Sequence, residues 1–233
     1  MNIHLKQSPN RVSAAVGYSL WSQNYDRDPN PLLALETRIL AGKLNDLGKK
    51  VFVDIACGTA RWMVYAAQMG AHVFGADLVP EMLAAARQKP RTAGRLIQAD
   101  ACHLPFVDNF ADIALCSFAL GYLRDPECVF RELGRITKRR GMVIASDLHP
   151  EALEAGWRRT FRCGSTLLEI ENYSHSCEQL VHAGSSANLE LREVLQPCFD
   201  SPEITIMRDA GKTEQIQEVL KVPAILVLLW ERH

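Results

Sequence analysis

The sequence has no CxxC pair, no GxGxxG run, no Walker-type lysine, no long apolar segment and almost no net charge. Each absence removes a class of protein. The seven cysteines (57, 102, 116, 128, 163, 177 and 198) are odd in number and scattered through 233 residues. That pattern speaks against a disulfide framework, a zinc site or an iron–sulfur cluster, and no bound metal is expected. With a net charge of −1, there is no general pull toward nucleic acid or anionic membrane. The one compact basic run, Lys138-Arg139-Arg140, reads as a solvated turn before Gly141. The longest apolar run, Ala224 to Trp230, is too short to span a bilayer. The first residues, Met-Asn-Ile-His-Leu-Lys-Gln-Ser-Pro, lack the apolar core of a signal peptide. A cytoplasmic location is the expectation.

What is present is an ordinary globular composition, 48% hydrophobic and 23% charged, and an alternating pattern of short apolar runs and helix-compatible stretches. Residues 1–31 read as polar and irregular. A helix is predicted over Leu32–Leu47, stopped by Gly48. From there strands at 51–55, 72–76, 95–99, 110–117 and 141–146 alternate with helices at 60–69, 80–89 and 126–137. Such alternation predicts a parallel sheet wound with helices on both faces. After Asp147 the pattern loosens. A helix over 151–157, paired strands within 161–173, a helix over 177–187, a strand over 189–195 and a last strand over 224–230 are predicted. No repeat and no flexible linker interrupts the chain, so one domain is expected: a cap at 1–50, a ligand-binding core at 51–150, a covering insertion with the sixth strand at 151–222, and the last strand at 223–233.

The segment Val51-Phe-Val-Asp54-Ile-Ala56-Cys57-Gly58-Thr59-Ala60-Arg61-Trp62 is the centre of this pattern. It reads as a buried strand, a tight small-residue loop and a helix start, which in open α/β sheets is where ligands approach the backbone. Asp54, Asp77 and Asp100 stand at three successive strand ends, and Asp77 follows Asp54 by 23 residues. That spacing suits a carboxylate accepting from a ribose diol, and so any adenosine ligand. The loop has only Gly58 where a pyrophosphate site needs three glycines. A smaller adenosine ligand without phosphate, S-adenosylmethionine, fits better. The alternative is that the three carboxylates cap helices or loops.

The loop Val53-Asp54-Ile55-Ala56-Cys57-Gly58-Thr59 resembles that of class I S-adenosylmethionine-dependent methyltransferases, nearest the quinone-biosynthesis C-methyltransferase group. Gly75-Ala-Asp77-Leu-Val-Pro-Glu-Met82-Leu, Gln98-Ala-Asp100-Ala-Cys-His-Leu-Pro105-Phe106, Phe110-Ala-Asp112 and the run from Pro126 to Gly141 extend the likeness over roughly 50–148. One departure is Ala60, where that family usually has a third glycine. The resemblance implies a doubly wound, mostly parallel seven-stranded sheet with an antiparallel last strand, an N-terminal helical cap and an insertion after the fifth strand. It also implies that Asp54 lies near the cofactor's amino group, with Ala56, Cys57 and Gly58 beside its methionine portion. Asp77 would take the ribose hydroxyls. Leu78, Met82, Asp100, Ala101 and Cys102 would surround the adenine. Ser117 and Phe118 would flank the transferred methyl, and Tyr25 and Trp21 would form a lid. For Met82 and Phe118 core packing is an equal alternative, and for Tyr25 and Trp21 a hydrophobic anchor is.

For the chemistry, His149 and Tyr122 are candidate bases near the strand ends, although a turn histidine would also explain His149. His175 falls in the insertion, and His103 reads as structural. Trp157, Phe161, Tyr173 and His175, with Trp21, are expected to line an apolar substrate pocket. The [DN]PP[YF] signature of base methylation is absent after the fourth strand, where Cys116-Ser-Phe-Ala-Leu-Gly-Tyr122 stands. A small-molecule methyltransferase is therefore expected. The alternatives are a cofactor-binding partner or sensor of the same fold without transferase activity, and a nicotinamide dehydrogenase. The sequence leaves the acceptor atom and the oligomeric state open.

Overall fold

The computed structural model describes residues 9–233; most of the stretch read for a signal peptide lies outside the described residues. In chain order the elements are β1 (Asn10–Val12), α1 (Ala14–Trp21), α2 (Pro31–Ala41), β2 (Val51–Ile55), α3 (Arg61–Gln68), β3 (His72–Asp77), α4 (Pro80–Arg87), β4 (Leu96–Gln98), β5 (Ala111–Ser117), α5 (Glu127–Ile136), β6 (Thr137–Leu148), α6 (Pro150–Glu154), β7 (Thr160–Cys163), β8 (Thr166–Ile170), α7 (Cys177–Ser186), β9 (Leu189–Leu195), α8 (Ser201–Asp209), α9 (Ile216–Val219) and β10 (Ile225–Arg232).

Seven strands form one sheet in the order β4-β3-β2-β5-β6-β10-β9. The first five are parallel, and β10 runs antiparallel to both β6 and β9. The expected doubly wound sheet with an antiparallel last strand is the one found. Its central strands read as continuous apolar runs because helices cover both faces. Phe52, Leu115, Ile144 and Leu229 face one core, and Val53, Ala114, Val143 and Leu228 face the other. The chain leaves β2 toward β3 on one side and returns to β5 on the other. That reversal opens a crevice at the carboxyl ends of β2 and β5.

Three boundaries differ from the sequence expectation. The helix expected to reach Leu47 ends at Ala41, with Gly42 as its cap. Leu44 and Leu47 stay fully buried in the loop that follows, so their helical spacing reflected burial alone. The fifth parallel strand is twice as long as expected: β10 pairs with it as far as Leu148, and at its start Thr137 pairs with Ala111 of β5. Residues 10–21, expected to be irregular, form β1 and α1. Ser13 caps α1, and β1 pairs in parallel with β8 of the insertion hairpin β7–β8. The cap and the insertion thus share a second, three-stranded sheet. Gly17 permits the close approach of α1 to it, since a Cβ there would stand 2.9 Å from Ile170 Cγ1.

Cys102 and Cys128 form a disulfide with Cα atoms 4.9 Å apart. The sequence reading did not foresee it: a single pair separated by 26 residues carries no local signal. Among the described residues no helix is long and apolar enough to cross a membrane, and no cluster of three metal-ligating side chains is present.

Candidate functional site

A cavity of about 150 Å³ opens at the carboxyl ends of β2, β3 and β5. Its floor is the loop between β2 and α3. Ala56, Gly58 and Ala60 all have left-handed backbone, at φ of 53°, 53° and 65°. Ala60 is the cap residue of α3, which explains why a glycine is usual at that position. An alanine holds the same turn at a cost of about 1–2 kcal/mol.

Asp77 organises this floor. Its two oxygens accept from the amides of Gly58 (2.7 Å) and Val79 (2.8 Å). Burial raises its pKa, while those amides favour the ionised form. One carboxylate therefore ties the loop after β2 to the loop after β3, and its outer lone pairs border the cavity. Leu78, Met82, Asp100 and Ala101 line the same end. Asp100 also accepts from the Cys102 amide at 2.9 Å. A Cβ added to Gly58 would reach 3.4 Å from Met82 Cε, so the residue is small where a ligand would press against the loop. A carboxylate for a diol, an apolar slot for a flat ring and a bare backbone fit an adenosine ligand.

Asp54 lies beneath this floor, outside the cavity wall, and is 2% exposed. Burial pushes its pKa up to about 8; Arg61 opposes the shift, Glu36 and Asp77 add to it, and the Met63 amide opposes it. Its folded pKa thus lies above its unfolded value, near 4. The stability this proton contributes is complete below about pH 4 and is lost as pH rises to about 8. Urea unfolding midpoints are expected to fall between pH 5 and 8 more steeply in the wild type than in Asp54→Asn; parallel curves would reject the assignment.

Sequence reasoning missed two clusters beneath the site. Glu36 of α2 is wholly buried. It accepts from Ser117 Oγ (2.8 Å), Trp62 Nε1 (3.0 Å), Ser146 Oγ and the Arg61 guanidinium. The signal was a lone carboxylate inside the apolar stripe formed by Leu32, Leu35, Ile39 and Leu40. The second cluster pairs Arg159 with Asp147, both about nine-tenths buried. Asp147 accepts from the Gly121 amide at 2.6 Å. Arg159 donates to Phe118 O (3.1 Å) and Tyr122 Oη (2.5 Å) and lies over both rings. Phe118 itself sits at φ 53°, a conformation that bulky residues adopt only where their surroundings enforce it.

The cap closes the other side. Thr59 Oγ1 donates to Asp26 at 2.7 Å, and Lys89 joins both. These contacts hold the segment after α1 against the loop and bring Tyr25 and Tyr18 into the cavity wall. Burial raises the Tyr25 phenol well above its usual range.

Of the residues expected in the site, Tyr25, Ala56, Gly58, Asp77, Leu78, Met82, Asp100, Ala101, Ser117, Phe118 and Tyr122 line the cavity. The Ser117 hydroxyl is turned away to Glu36. Several others stand elsewhere. Cys57 is buried and points at Gly75. Cys102 is disulfide-bonded. His149 is buried, with Nδ1 accepting from the Glu151 amide as the cap of α6 and Nε2 at 2.9 Å from Gln196 Oε1. Both nitrogens are thus engaged outside the cavity wall, and the residue stands as the cap of α6. His175 donates to Leu123 O at 2.9 Å, and His103 is exposed beside Asp100. Trp157 packs on Phe199, and Trp21 stacks on Phe161 at 5.0 Å between centroids. Tyr173 is largely exposed. The insertion therefore backs the cap instead of lining the cavity.

Residues 53–145 match the family model of a methyltransferase domain. The demethylmenaquinone methyltransferase of Geobacillus kaustophilus is 32% identical over 121 residues, 49% of this chain and 51% of that protein. The malonyl-[acyl-carrier protein] O-methyltransferase of Hamiltonella defensa is 28% identical over 142 residues, 61% of this chain and 54% of that protein. The chain spans about half the length of these curated relatives. An S-adenosylmethionine-dependent methyltransferase from Mesorhizobium loti shares the fold, with a TM-score of 0.68 at 22% identity over 84% of this chain and 97% of that one.

Proposed function

We propose that this chain, which carries a methyltransferase domain of the S-adenosylmethionine-dependent class over residues 53–145, transfers a methyl group from S-adenosylmethionine to a small-molecule acceptor. The reading takes the chain as one unit acting in the cytoplasm; the net charge of −1 supports a small molecule over a nucleic acid. The observation that carries it is Asp77, which closes the loop through Gly58 while facing a cavity lined by Met82, Asp100 and Ala101. Asp77 accepts from the ribose hydroxyls. Leu78 and Met82 pack on the adenine, with Asp100 and Ala101 at its edge. Phe118, Tyr122, Tyr18 and Tyr25 enclose the opposite end and exclude water there.

The bound cofactor supplies an electrophilic methyl group on a sulfonium. Among the described residues the cavity wall holds no histidine, so these residues contribute orientation and desolvation more than proton removal. Calorimetry is expected to show S-adenosylhomocysteine binding at one site per chain. Incubation with methyl-labelled S-adenosylmethionine and a metabolite extract is expected to give a labelled small molecule. Binding without labelled product from any extract would favour a cofactor-binding protein. NAD binding without S-adenosylhomocysteine binding would overturn the reading.

A further inference from the structure

Tyr18 and Tyr122 both border the cavity, and their hydroxyl oxygens are 2.5 Å apart. Arg159 Nη1 lies 2.5 Å from Tyr122 Oη. A guanidinium only donates, so Arg159 takes up none of the phenolic protons. Burial raises the Tyr122 phenol well above its usual range, so Tyr122 keeps its proton, and the Tyr18 hydroxyl brings one donor of its own. Two protons are then available and the bond between the phenols uses one. No described residue accepts the other. Tyr122 Oη already accepts from Arg159; where Tyr122 in turn donates to Tyr18, the Tyr18 proton is the one left over beside the cavity.

We propose that the Tyr18 hydroxyl is a hydrogen-bond donor to a carbonyl-type oxygen of the methyl acceptor, with its direction set by the chain Arg159→Tyr122→Tyr18. This identifies the substrate class within the methyltransferase reading and rests on it. The Arg159 charge is balanced by Asp147, so the subsite offers a neutral donor and no net positive charge. Carboxylates and phosphates are thereby disfavoured. The walls around the donor, Ala14, Ala15, Phe118, Ala119 and Leu123, are apolar. They suit a ring or alkyl body bearing an uncharged oxygen that accepts but does not donate.

The test uses 1-tetralone, its oxygen-free counterpart tetralin, and 1-naphthoate as a charged probe. Binding to the full chain is measured by tryptophan fluorescence, with and without S-adenosylhomocysteine. The wild type is expected to prefer tetralone to both other probes. Tyr18→Phe is expected to weaken tetralone binding roughly tenfold and to leave tetralin unchanged, which also shows that the variant is folded. Tyr122→Phe, which removes the link that orients the Tyr18 hydroxyl, is expected to weaken tetralone binding less than Tyr18→Phe does and to leave tetralin unchanged; normal tetralone binding in that variant would overturn the orienting role of Tyr122. No preference for tetralone over tetralin, including failure of either to bind, overturns the proposal, as does a Tyr18→Phe variant that binds tetralone normally. Tighter binding of 1-naphthoate overturns the uncharged-oxygen assignment. Loss of S-adenosylhomocysteine binding with the tetralone preference intact would count against the cofactor reading alone.

Discussion

Asp77→Ala is expected to weaken S-adenosylhomocysteine binding by about 1–3 kcal/mol, the cost of stranding buried hydrogen-bond partners. At about 1.4 kcal/mol per factor of ten, that reaches a hundredfold. Two losses combine. The ribose hydroxyls lose their acceptor, and the Gly58 and Val79 amides, held at 2.7 and 2.8 Å, lose theirs. Without the carboxylate the side-chain tie between the loop after β2 and the loop after β3 is lost, and the Cys57 amide bond to the Ala76 carbonyl remains. Asp77→Asn is a demanding comparison, because its amide must turn a donor toward Gly58 or Val79, where another N–H already points. It is expected to lose affinity as well, despite its nearly identical shape. Calorimetric titration measures both variants, with urea unfolding as the check that each still folds. Unchanged affinity in Asp77→Ala would remove the ribose assignment.

The second large effect is on stability. Glu36→Ala is expected to destabilise the fold by about 3–5 kcal/mol, the range for removing one partner of a buried charge cluster. The carboxylate accepts from Arg61, Trp62, Ser117 and Ser146, which come from α3, β5 and β6. Its loss leaves several donors unpaired, with Trp62 and Ser146 buried away from water. Glu36→Gln keeps an acceptor for Trp62 but sets an amide N–H near the Arg61 guanidinium, so an intermediate loss is expected. The double variant Glu36→Ala/Arg61→Met is expected to recover part of the deficit, because the stranded cation is gone. Urea denaturation of the three proteins decides it. A loss below about 1 kcal/mol, the net worth of an ordinary hydrogen bond, would mean that the cluster contributes little.

The part of the cavity wall proposed for the cofactor was legible in the sequence because it is built from short contiguous pieces. Ala56 with Gly58, Asp77 to Met82, and Asp100 with Ala101 each lie at a strand end or in the loop that follows it. Parallel strands in register bring such ends to one edge: Asp54 pairs with Gly75, and Ile55 with Ala76. The wall formed by Tyr18 and Tyr122 was not legible. Tyr18 and Tyr122 are 104 residues apart, and the cap that carries Tyr18 is placed by a parallel pairing with a hairpin at 160–170. Spacing carries no trace of such a pairing. His149 misled because its position past a strand end suits a base, while its orientation is set by Gln196, 47 residues away. Glu36 passed unnoticed because a carboxylate in an apolar stripe gains its meaning from donors on three other elements.

By itself the sequence determined the alternating winding of the sheet, the loop at 56–60 and the nature of the ligand that such a loop admits. Apolar periodicity and the allowed backbone of small residues are local properties, written in neighbouring positions. The tertiary structure alone decided which side chains face the cavity and which histidine is a cap. Those outcomes depend on hydrogen-bond partners and burial supplied by distant segments, and they exist only once the chain has closed on itself.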